Sequence, residues 1–120
     1  MVFTRIYHKN NLHLAMHADK TISIIEARNT LNQVNLKIPT FSIGHESREI
    51  LEQTAIELES LIWQLVHEDL SEVTDNLISH QQRLQELNKK LISRTASLEK
   101  ISKMIENVSH LIGSLTGFSG

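Results

Sequence analysis

Seven histidines and fourteen carboxylates carry most of the reactive chemistry open to this 120-residue chain, which has no cysteine. Thiolate metal sites, cysteine nucleophiles and disulfides are therefore excluded. His13 and His17, four residues apart with His8 nearby, are the pair best spaced to share a metal ion. On a helix they would stand about 6 Å apart on one face, within reach of a single ion. On a strand they share a face but lie roughly 13 Å apart. The local sequence reads as a strand, so no metal site is expected there. His45-Glu46 and His67-Glu68 begin like the zinc-protease HExxH signature, but both lack its second histidine. Glu52, Glu57 and Glu59 belong to a segment rich in acids and read as a solvated helix face. No glycine-rich phosphate loop, nucleophile elbow or Ser/His/Asp spacing is present. These residues predict no enzyme, no cofactor and no metal.

The pattern that dominates the chain positions helices rather than reacting groups. Leu70, Leu77, Leu84, Leu91, Leu98, Ile105 and Ile112 recur at an unbroken spacing of seven. Three residues after each comes a second series of Val73, His80, Leu87, Arg94, Ile101, Val108 and Leu115. These series occupy the a and d positions of a heptad, a narrow apolar seam that another helix must cover. Neither glycine nor proline occurs between Gly44 and Gly113, so the run carries no strong helix breaker. The expected fold is mainly α: a long heptad-bearing helix, as coiled coil or helical bundle, with a small N-terminal β-hairpin or irregular head.

Two regions follow from this reading, a head over residues 1–45 and a coiled-coil or bundle region over 46–118. In the head, Val2 to Tyr7 and Leu12 to Met16 read as short strands around an Asn-rich turn. A helix is expected from about Asp19 to Leu36, with Ile24, Arg28, Leu31, Val34 and Ile38 as its stripe, ended by Pro39. A second helix starts near His45, with Leu51, Ala55, Leu58, Ile62 and Leu65 at alternating four and three. Its register breaks at 66–69, because Leu65 and Leu70 lie five apart. A continuous helix with a skip and a hairpin turn both fit that break, and the lack of glycine or proline favours the continuous helix. Asp69-Leu70-Ser71-Glu72 has the form of a capping box and supports the turn. A single helix from Asp69 to Leu115 would be roughly 70 Å long.

The seam implies a protein partner. Leucine at a with β-branched residues at d shifts parallel coiled coils from dimers toward three or four strands. A homo-oligomer, trimer or tetramer before dimer, is therefore expected, with both heptad series as its interface. The e positions Thr74, Gln81, Asn88, Thr95, Ser102 and Ser109 are uncharged, so e–g salt bridges select no partner. His80 and Arg94 interrupt the d series, either as local ends of burial or as a layer that fixes register. Trp63 packs in the helix interface or anchors a partner, and Phe3 and Tyr7 are further partner-binding candidates in the head.

A formal net charge of −2 argues against a nucleic-acid binder, and no stretch approaches membrane-span length. Residues 46–69 carry one basic and seven acidic side chains, between a head with five basic and two acidic and a C-terminal region with six basic and five acidic. The acidic segment can fold back on either neighbour or stand as a solvated face. With no secretion signal in evidence, a soluble cytoplasmic protein is expected. Its function reads as a non-enzymatic, self-associating coiled-coil assembly, scaffold or adaptor module. A small helical secretion-type chaperone or regulator, holding a client's amphipathic helix, is the alternative from another class. A helical stalk or sensor fragment is the third, weakened by the chain's own initial methionine and absent anchor.

Overall fold

Pro39 and Gly44 mark the first reversal of the chain, and the helices on either side of them lie side by side. A computed structural model describes residues 2–68, 74–92 and 96–117, with side chains placed for 19–68, 75–92 and 97–117. Four helices follow one another: α1 Val2–Lys37, α2 Glu46–His67, α3 Thr74–Ile92 and α4 Glu99–Thr116, with 3-10 turns at Ile38–Thr40 and Ala96–Leu98. Proline stops α1 by removing a donor and excluding helix at the preceding residue. Gly44 takes the left-handed φ of +88° that the reversal requires. His45 caps α2, its Nδ1 accepting the Ser47 amide at 3.0 Å, while Glu46 and Glu49 complement the helix dipole.

The expected β-hairpin is not formed, because α1 is helical from Val2 onward. Asn10-Asn11 lacks the glycine of a tight hairpin turn, and two strands alone have nothing to lean on. Extending the packed helix back from Asp19 requires only one more residue fixed per hydrogen bond.

The heptad run is not one long helix either. α2 ends at His67, and Glu68 is extended at φ −118° and ψ 154°. A helix continued through the five-residue skip would swing the next leucines about a quarter turn off the core, so the break restores their phase. The candidate capping box and the residues Leu70 and Val73 lie outside the described residues. A second break separates α3 from α4. It lets Leu77, Leu84 and Leu91 share one interior with Leu98, Ile105 and Ile112.

Each helix runs antiparallel to the next. Lys20 of α1 reaches the Glu68 carbonyl at the end of α2, Glu57 of α2 meets His80 and Arg83 of α3, and Gln81 of α3 meets Ser109 of α4. Glu26 and Asn107 close the ring between α1 and α4. The result is an up-down-up-down four-helix bundle, 63 Å long and about 25 Å across. The four helices around the seam belong to one chain, so the residues at a and d no longer specify three or four separate chains. α1, with 36 residues, spans about 54 Å, against 18 to 22 residues in its neighbours. Its register carries the first turns of α1 past the ends of α2 and α4.

The core uses three heptad positions, not two. Besides a and d, the uncharged e residues Gln81, Asn88, Ser102 and Ser109 are buried. A stripe of this width belongs to a helix with neighbours on two sides. On α1 the buried face is Ser23, Ala27, Thr30 and Val34, whereas Ile24, Leu31 and Ile38 of the expected stripe are half-buried and Arg28 is exposed. Small side chains let α1 lie close to the core. The Ser23 and Thr30 hydroxyls donate to the Asp19 and Glu26 carbonyls, each at 2.8 Å, so neither is left unpaired.

Candidate interaction surface

The expected oligomer interface faces inward. Leu77, His80, Leu84, Leu87, Leu91, Leu98, Ile101, Ile105, Val108 and Ile112 are buried within the single chain, and Leu115 is half-buried. Leu70, Val73 and Arg94 fall outside the described residues. The buried side chains from Leu77 to Ile112 are covered by the chain's own α1 and α2, as well as by each other.

His80 does not face copies of itself. Its Nδ1 lies 2.5 Å from Oε1 of Glu57 and 3.3 Å from a terminal guanidinium nitrogen of Arg83. Arg83 Nε donates to the same oxygen at 2.8 Å. His80 thus faces a carboxylate and a guanidinium of its own chain rather than copies of itself. The acidic α2 segment folds against α1 and α3, and Glu57 is the acid that this packing consumes.

Among the described residues, exposed large apolar side chains fall mainly on the first two helices and their connection. Ile22, Ile25, Leu36, Ile43, Ile56, Trp63 and Val66 are exposed and lie on α1, α2 or their connection, while Ile92 stands apart on α3. Trp63 is 57% exposed and tilts against the His67 ring, with centroids 4.9 Å apart. It borders a groove of about 280 Å³ between α1 and α2, together with Leu31, Ile62 and Val66, and Arg28 and Glu59 add charge to its lining. A second groove of about 340 Å³ runs between α2 and α3, from Ile56 past Glu57 and Arg83 to Leu87. A half-exposed tryptophan among aliphatics and one arginine has the composition of an interface anchor. Ile56 lies seven residues before Trp63, so the two mark one outward stripe of α2.

The other candidates are placed more briefly. Phe3 and Tyr7 fall in the first turns of α1, where side chains lie outside the described residues. His13 and His17 are on a helix, so the separation expected on a strand does not apply to them; their side chains also lie outside the described residues. Among the described residues no three His, Asp or Glu side chains group as a metal ion requires. Nor is any helix there long and apolar enough to cross a membrane. No protein-family model, curated protein or solved structure matches this chain.

Proposed function

We propose that this chain is a non-enzymatic, self-associating helical-bundle protein, an assembly, scaffold or adaptor module whose copies meet through the α1–α2 face. The observation that carries this reading is the exposed Trp63 groove on a molecule whose heptad seam is already covered. Charge supports a second copy as the occupant. Residues 1–45 carry five basic and two acidic side chains, and 46–69 one basic and seven acidic. A two-fold pairing lays α1 of one copy on α2 of the other, so that unlike charges meet twice.

Light scattering after gel filtration, at two concentrations, tests this directly. The mass is expected to rise from one chain toward two, with the emission of the single tryptophan shifting to the blue as Trp63 is covered. Trp63→Glu should restore the one-chain mass without changing helix content. A one-chain mass at both concentrations removes the self-associating reading. The groove would then serve the second reading, a small chaperone or regulator that seats a client's amphipathic helix beside Trp63.

A further inference from the structure

We propose that α1 carries a second seam on its outward side, and that this seam pairs two copies of the chain through a parallel α1–α1 contact. The contact is separate from the Trp63 groove, which α1 borders with Arg28 and Leu31. It goes beyond the α1–α2 pairing because it needs no residue of α2.

Spacing defines the seam. Ile22, Asn29 and Leu36 recur at intervals of seven, and Ile25 and Asn32 follow the first two by three. All five are exposed, with Ile22 at 46%, Ile25 at 50% and Leu36 at 63%. They occupy a and d of one heptad, while the buried Ser23, Ala27, Thr30 and Val34 follow another. At about 100° per residue the two sets point roughly 150° apart, so α1 has one seam for its own bundle and one facing away from it.

Charge singles out the same ridge. From Thr21 to Leu36 the exposed residues include one charge, Arg28, which lies on the groove side. Over a similar length α4 exposes Glu99, Lys100, Lys103 and Glu106. A helix face turned to water carries charged and polar residues, whereas uncharged stripes on two sides belong to a helix with neighbours on two sides.

A second copy is the partner that such a ridge fits. In a parallel pair in register, each residue meets its own counterpart. Ile22, Ile25 and Leu36 then bury aliphatic surface against each other, and the amides of Asn29 and Asn32 each donate to and accept from the same amide of the other chain. An asparagine in such a seam fixes register and strand number at a cost in stability. An uncharged ridge also brings no like charges together when it meets itself. α1 stands at a corner of the four-helix square, packed on α2 and α4, so its outward ridge meets its counterpart with no other helix between them.

Two heptads with two asparagines make a weak seam, so the test is made at millimolar concentration, in a Trp63→Glu background that removes groove pairing. The chain has no cysteine, and Asn32→Cys places a single thiol on the ridge. In the parallel pair the two thiols fall within disulfide reach. Each thiol's rate is corrected for its reaction with a small disulfide. Asn32→Cys should then cross-link about tenfold faster than Lys100→Cys, an exposed α4 site off the ridge, because coupling follows the population of the paired state. Adding Ile25→Lys, an exposed change on the same ridge, sets two ammonium groups against each other. It should slow the Asn32→Cys reaction about tenfold with helix content unchanged. Equal rates for Asn32→Cys and Lys100→Cys overturn the seam, and so does a rate that Ile25→Lys leaves undiminished. Rapid coupling only between Asn32→Cys and Asn29→Cys chains reveals an antiparallel contact and overturns the parallel one. If cross-linking fails while the unmutated chain still pairs through Trp63, the groove reading stands and the ridge falls. If cross-linking succeeds while the mass is indifferent to Trp63, the ridge stands and the groove reading falls.

Discussion

Between α1 and α2 the chain passes Pro39, a 3-10 turn and Gly44 at φ +88°, whereas between α3 and α4 it passes Ser93 to Ser97 without proline or glycine. The interiors of the two hairpins differ as much as their connections. α1 contributes Ser23, Ala27, Thr30 and Val34, with both hydroxyls paired to its own backbone. α3 and α4 contribute Leu and Ile at every buried a position and leave three polar atoms unpaired between them. The first hairpin is enforced by local backbone chemistry, and its α1 brings small groups to a core where α2 supplies Leu51, Leu58, Leu61 and Leu65. The second buries large side chains from both of its helices.

Truncating the large side chains should therefore have the greatest effect. Leu84→Ala, fully buried on α3, is expected to lower the unfolding free energy by about 2–5 kcal/mol in urea denaturation. A loss below half a kcal/mol would mean that α3 is not held by its leucines. The reverse change belongs to α1: Ala27→Leu overfills a site with no exposed area and should cost about 1–3 kcal/mol. If Ala27→Leu were neutral or stabilising, α1 would have to stand farther from the core than the structure places it. The smallest effect is a gain. Asn88→Leu removes the unpaired Oδ1 at similar volume and should stabilise the bundle by about 1 kcal/mol. A destabilised Asn88→Leu protein would show that Asn88 has a partner after all.

Much of this fold is legible in the residues, and the misreadings have identifiable causes. Pro39 placed the end of α1, and His45 the start of α2. The a and d residues from Leu77 to Ile112 that read as a seam are buried as one. In the sequence the uncharged e series suggests only weak partner selection, although at Gln81, Asn88, Ser102 and Ser109 its lack of charge accompanies burial beside a second neighbour. The expected α1 stripe of Ile24, Arg28, Leu31, Val34 and Ile38 shares only Val34 with the buried face, because Ser23, Ala27 and Thr30 add little hydropathy. Close helix approach nevertheless selects small residues for the face turned to the core. The Trp63 groove was half visible: a single tryptophan stood out, but its exposure depends on how α1 and α2 lie together. The Glu57–His80–Arg83 cluster spans 23 residues between Glu57 and His80 and has no local signature.

By itself the sequence determined that this protein is helical and that its helices must be covered by helices. Sixty-eight residues without glycine or proline and a sustained a/d pattern leave no other way to bury the leucines. Whether the covering helix comes from the same chain or another is not written in a heptad, because both present the same apolar surface. Only the tertiary structure decided that. Chain reversals at 38–45, beyond His67 and beyond Ile92 bring all four helices together at the high effective concentration of one molecule, and the seam from Leu77 to Ile112 is covered within that chain.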